Sequence, residues 1–164
     1  MSAARFSTTF RDEHRQVRDY LLDLIPAFET RNTAGALDLL VRTAKLAGPH
    51  FRYEEESLYP FLIEIFGREY IEKLVADHDR VIAAARRLVG LASGQTLSND
   101  EVAEATRLVR GILPHVSDCD GLSIMVERLP EERVAAIFDT RDRALADGLD
   151  LLAWADTIRP RREC

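Results

Sequence analysis

Pro49–His50–Phe51–Arg52–Tyr53–Glu54–Glu55–Glu56–Ser57–Leu58–Tyr59–Pro60 is the stretch that decides how this chain folds. His50 and Glu54 are four residues apart, which on a helix stacks them one turn above the other on a single face. That face also carries Ala47, Leu58 and Phe61 or Leu62, so both polar groups point into a core. An isolated buried carboxylate is expensive and needs a partner. The imidazole beside it points to a metal ion as that partner. Pro49 removes one backbone hydrogen bond and sets a kink, and Pro60 loosens the far end, so two prolines bracket the pair.

On either side the chain reads as helix, with no sustained strand-like alternation. Ser7, Thr8 or Thr9 caps a first helix with the stripe Phe10, His14, Val17, Leu21, Leu24 and Phe28, which Pro26 kinks or ends. A second helix starts at Asn32 or Thr33, carries Leu37, Leu40, Ala44 and Ala47, is disturbed at Gly48–Pro49, and stops at Gly67. The third runs from about Arg68 to Leu91, with Ile71, Leu74, Val75, His78, Val81, Ile82, Ala85, Leu88 and Val89 inward. A turn at Ser93–Gly94–Gln95 follows. Ser98 or Asn99, with Glu101 nearby, opens the fourth, whose stripe is Val102, Ala105, Leu108, Val109, Ile112, His115, Val116, Cys119 and Leu122. Pro114 precedes His115 much as Pro49 precedes His50. Pro130 starts a last amphipathic helix with Val134, Ile137, Phe138, Leu145, Leu149 and Leu152 along one side. It carries no His and is expected to pack outside the other four.

The expected fold is therefore all-α. It is an up-down four-helix bundle over about residues 7–129 with an additional C-terminal helix over about 130–158, in one domain spanning 1–164. The 164 residues are 46% hydrophobic and 30% charged, enough for one self-supporting core. A formal charge of -6 and a pI near 5.3 argue against nucleic-acid or anionic-membrane partners. No apolar run reaches membrane length, and Met1 to Phe10 has no signal-peptide core. Cys119 and Cys164 make no disulfide framework. The expectation is a soluble, cytoplasmic protein.

The sequence contains only four histidines, His14, His50, His78 and His115, and each falls on the inward stripe of a different helix. With a stripe covering about three positions in seven, chance would align all four roughly 3% of the time. A single core histidine is commonly a satisfied one; four together favour ligation. Glu54 follows His50 by four and Asp120 follows His115 by five. A four-helix bundle can bring such groups to one level of its core, as in carboxylate-bridged di-metal proteins. Imidazole with carboxylate suits iron, manganese or zinc.

The ordered set resembles the hemerythrin family, the HHE cation-binding domains, over about Phe10 to Val126. That family uses a lone His on helix one, His-x3-Glu on helix two, His-x3-His on helix three and His-x4-Asp on helix four. This chain has His14, then His50 with Glu54, then His78, then His115 with Asp120. Four residues after His78, where the family has a second His, stands Ile82. The resemblance implies two irons bridged by Glu54 and Asp120, one on His14 and His50, the other on His78 and His115. The second ion would then be one histidine short. Glu55, Tyr53, Tyr59, Asp118 and Cys119 are the candidates for a replacement or an orienting contact. Cys119 reads first as a small core residue, and within Glu54–Glu55–Glu56 one member faces inward.

The resemblance implies a non-haem iron protein binding dioxygen, nitric oxide or peroxide, as carrier, sensor or scavenger. It is more a metal- and oxygen-binding protein than an enzyme, although the missing histidine raises a weak oxidase or peroxidase. Two further readings remain. One is an iron–sulfur cluster repair or iron-donating protein, disfavoured because no Cys precedes Phe10. The other is a metal-free helical interaction module. Trp154, Leu151 and Leu152 give the last helix an apolar patch that either covers a bundle edge or forms a homodimer face.

Overall fold

Ser2, rather than Ser7, Thr8 or Thr9, caps the first helix: its side chain accepts a hydrogen bond from the Arg5 N–H at 3.3 Å. The computed structural model describes residues 2–94 and 96–160; Gln95, Cys164 and the side chain of Asp120 lie outside the described residues. Helix α1 (Ala3–Glu29) begins ahead of the expected caps because the stripe extends to Phe6, buried beside Phe10. It runs through Pro26, whose missing N–H falls in the last turn. Asn32 caps α2 (Thr33–Tyr53) by accepting from the Gly35 N–H at 2.9 Å.

α2 stays helical through Gly48 and Pro49, the positions expected to disturb and kink it. The hydrogen-bond pattern changes one turn later. Glu54–Leu58 forms a wide π turn in which the Tyr59 N–H bonds back to the Glu54 carbonyl, and α3 (Tyr59–Phe66) follows. The wider turn keeps Leu58 and Tyr59 both buried below Glu54. Gly67, at φ 83°, ends α3 in a conformation that favours glycine. Helix α4 spans Arg68–Ala92. A reciprocal capping box between Ser98 and Glu101 opens α5 (Asn99–Asp120).

Helices α1, α2, α4 and α5 close a ring in which α1 packs on α2 and α5, and α4 packs on α2 and α5. Short connections make sequential neighbours antiparallel. After a short α6 (Leu122–Met125) and a 3-10 turn at Val126–Arg128, the chain returns over the bundle. The expected single last helix is two: α7 (Glu131–Asp147) and α8 (Leu151–Thr157). Gly148 adopts a left-handed φ of 65°, and the Asp150 side chain accepts from the Ala153 N–H at 2.9 Å to start α8. Leu145, expected inside, is 48% exposed, and the neighbouring Ala144 takes the buried place in the last turn of α7.

Both helices pack on α2, with α7 also on α1 and the π turn, and α8 also on α4. Trp154 and Leu151 are buried there, so this patch covers an edge of the bundle. Gly48 permits the closest approach: a Cβ at this position would lie 2.5 Å from the Leu149 carbonyl oxygen and the Asp150 carbonyl carbon. The link between α7 and α8 thus rests directly on the α2 backbone.

Two apolar clusters fill the interior. One contains Leu21, Leu40, Val81, Ile112 and Trp154; the other contains Phe6, Phe10, Leu58, Leu74 and Phe138. His14 lies in sequence between Phe10 and Leu21, and His78 between Leu74 and Val81, so the histidine layer divides the two clusters. Helix α7 supplies Val134, Ile137 and Phe138 to one cluster, and α8 supplies Leu151 and Trp154 to the other. Among the described residues no helix is long and apolar enough to cross a membrane.

Candidate metal centre

Helical spacing alone delivers five of the six candidate ligands to one layer. His14 from α1, His50 and Glu54 from α2 and its π turn, His78 from α4 and His115 from α5 are all buried, and Glu54 is fully so. Their ligand atoms form two groups, each within 4.8 Å: His14, His50 and Glu54, then Glu54, His78 and His115. Glu54 belongs to both. The side chain of the sixth candidate, Asp120 at the end of α5, lies outside the described residues.

The contacts inside this layer fit cation binding better than hydrogen bonding. Nε2 of His50 faces Nε2 of His14 at 3.0 Å. Glu54 Oε1 is 3.4 Å from His50 Nε2, and Oε2 is 3.1 Å from His78 Nε2. Despite that proximity, neither Glu54 oxygen has an aligned hydrogen-bond partner among the described residues. An ionised carboxylate left so in a protein interior costs several kcal/mol. Four imidazole nitrogens and one shared carboxylate form a donor set suited to metal ions of the iron, manganese or zinc type.

The outer nitrogens of two rings are already engaged. His50 Nδ1 meets Glu13 Oε2 at 2.7 Å, and Tyr53 donates its hydroxyl to the same oxygen at 2.7 Å. His78 Nδ1 meets Glu55 Oε1 at 2.8 Å. With Nδ1–H donating to a carboxylate, loss of the other ring proton leaves the Nε2 lone pair facing inward, the tautomer that a metal requires. Aromatic rings wall both pairs. Phe10 lies edge-on to His14 with ring centroids 4.3 Å apart, and Phe51 stacks on His78 at 3.7 Å.

Charge is distributed unevenly across the layer. Burial and the neighbouring His78 push His115 down to about 3, so this ring is neutral at physiological pH. Burial would also lower His50, but Glu54 and Glu13 on either side hold it up to about 10. Burial opposes ionisation of Glu13 as well. The His50 hydrogen bond and charge, with Arg141, outweigh it and hold the carboxyl at about 2. Glu54 stays well below the usual range despite its burial, because His50 and His78 flank it. A cation bound between His50 and Glu54 takes the place of a proton.

The remaining candidates separate clearly. Glu55 does not join the ligand groups but orients His78, while Glu56 is exposed and pairs with Arg52 at 2.9 Å. The Tyr59 hydroxyl is 3.1 Å from His78 Nε2, which puts it at the edge of the layer. Cys119 is buried, with Sγ 3.7 Å from His115 Nδ1 and 3.9 Å from the Tyr59 hydroxyl. Asp118 is exposed, on a groove between α4 and α5 that reaches His115. Ile82 is buried in the apolar cluster and offers no ligand. Three polar residues escaped the sequence reading: Glu13, Arg141 and Arg159. Only the position of Glu13 directly before His14 hinted at a role.

An apolar cavity of about 50 Å³ adjoins the layer. It is bounded by His14, His50 and His115 at one end and by side chains such as Leu21, Leu40 and Leu88 beyond.

No curated protein and no solved structure shows significant similarity to the chain. The family model of the hemerythrin HHE cation binding domain matches residues 5–122, which takes in α1 from Arg5 onward, α2 to α5 and every candidate metal ligand. A closed ring of four helices, with a His/Glu layer across its middle and this match over most of its length, makes the chain a member of the hemerythrin HHE cation-binding domain family.

Proposed function

We propose that this chain is a non-haem di-iron protein that binds dioxygen, nitric oxide or peroxide in the bundle core, as a carrier, sensor or scavenger. The observation that carries the reading is Glu54, buried and shared between two histidine pairs. His14 and His50 would hold one iron and His78 and His115 the other, with Glu54 between them and Asp120 as a second bridge. When bound, the irons supply the redox chemistry and the open coordination positions for a small ligand.

The chain's own residues do the rest. Glu13 and Glu55 hold the His50 and His78 rings in place. Phe10 and Phe51 exclude water from the layer. The apolar cavity beside His14, His50 and His115 suits a small, weakly polar molecule and is large enough to admit one. With Ile82 in place of a histidine, the His78–His115 ion is held by fewer imidazoles, which leaves it more open to exogenous ligands.

On this reading the domain works in the cytoplasm, without nucleic-acid or membrane partners, and pairs as a homodimer through the exposed side of its C-terminal helices. Mixing the reduced, iron-loaded protein with oxygen in a stopped flow tests the carrier role. A stable adduct that releases its ligand on deoxygenation is expected. Rapid irreversible oxidation would instead favour a weak oxidase or peroxidase. Tyr59 and Cys119, both oxidisable and both beside the layer, support that second reading.

A further inference from the structure

Two arginines from outside the family match reach the histidine layer by the same route. Arg141, on α7, places Nε 2.8 Å and Nη2 2.7 Å from Glu13 Oε1, while Oε2 of that carboxylate is taken by His50 Nδ1 and the Tyr53 hydroxyl. Arg159, just past α8, places Nε 3.0 Å from Glu55 Oε2 and Nη2 2.8 Å from Oε1, the oxygen that meets His78 Nδ1. Its Nη1 also meets Asp79 at 2.5 Å, and its guanidinium lies 5.6 Å from the Trp154 ring centroid. Arg141 is 21% and Arg159 9% exposed, so these forks are not loose surface pairs.

We propose that α7 and α8 form the outer half of the metal centre, with Arg141 and Arg159 as positioning residues. Through Glu13 and Glu55 they fix one histidine of each ion. A carboxylate held only by an imidazole can rotate and tilt the ring with it. Arg159 spans both oxygens of Glu55, and Arg141 holds one oxygen of Glu13 while His50 and Tyr53 hold the other, so each carboxylate's plane is fixed and with it the direction of the Nε2 lone pair. Among the described residues the arrangement is paired: His50 in one couple and His78 in the other each meet a carboxylate, and each of those two carboxylates meets an arginine. Arg141 comes from one outer helix and Arg159 from the end of the other, and Gly48 seats the link between them on α2.

The proposal rests on the two-ion reading, and the test separates the two. Full-length metal-free protein is titrated with Co(II) at pH 7, with uptake followed by visible absorption, for wild type, Arg141→Met, Arg159→Met, the double variant and the two Arg→Lys variants. The melting temperature of each metal-free protein is recorded alongside. Wild type should take two equivalents. Each single Met variant should weaken one equivalent about tenfold and leave the other, and the double variant should weaken both, with Lys restoring part of the affinity. Two equivalents in wild type with unchanged affinities in every variant would overturn the positioning role alone. So would equal weakening of both equivalents by either single change, in step with a lowered melting temperature and without rescue by Lys, because that is general loosening. Wild type that takes up fewer than two ions would overturn the two-ion reading itself, and this proposal with it.

Discussion

Glu54 is the residue on which the site turns. Its side chain is fully buried and lies within ligand distance of both histidine pairs. Glu54→Gln keeps the shape but removes the charge that two cations would share. Metal analysis should therefore show uptake falling from two ions to one or none while circular dichroism keeps the helical signal. Ile82→His tests the opposite change, adding the family's missing ligand one turn from His78. A buried, unpaired imidazole should destabilise the metal-free chain by about 1–3 kcal/mol and slow the release of one ion to a chelator. Unchanged stability and release would mean that position 82 does not face the site. The histidines and Glu54 were legible in sequence because a ligand must lie on the buried stripe, where polar residues stand out. Glu13 was not, since beside His14 it reads as the shoulder of that stripe. Arg141 and Arg159 meet carboxylates 128 and 104 positions away, which no helical periodicity reports.

The elements were read well where local chemistry marks their ends. Asn32, Gly67 and the Ser98–Glu101 box all act as their residue types suggest. The last helix was misread as one, although Gly148 followed by Asp150 is a stop and a new cap in sequence. The π turn at Glu54–Leu58 carries no local mark, and it follows from what must be buried on both sides of it. Gly48 looked like a helix disturber and is instead a seat for the link between α7 and α8. Elsewhere in a helix, Gly→Ala stabilises by up to about 1 kcal/mol. Here Gly48→Ala forces a Cβ to 2.5 Å from backbone atoms of Leu149 and Asp150. Chemical denaturation should show a net loss of about 1–3 kcal/mol, and a stabilised variant would show that the link does not rest on α2.

Across the whole molecule, two apolar clusters meet at one polar layer, and the outer helices join both. The bundle class was legible from stripe spacing, because four amphipathic helices with short links have few other ways to bury their faces. The coverage of α2 by the C-terminal helices was not, because an apolar face does not name what it packs against. A layer built to hold cations between buried carboxylates should be less stable without them. At free metal about a thousandfold above the dissociation constant, binding contributes roughly 4 kcal/mol. Chelation should therefore lower the melting temperature by on the order of 10 °C, read by scanning calorimetry. A chain that melts identically with and without chelator would lack this coupling.

The most direct test is the iron content of the purified chain from iron-replete cells, taken with its visible spectrum when reduced and when aerated. Two irons per chain, with an absorption band that appears on aeration, is the expected result. A colourless protein that retains no transition metal would contradict the account.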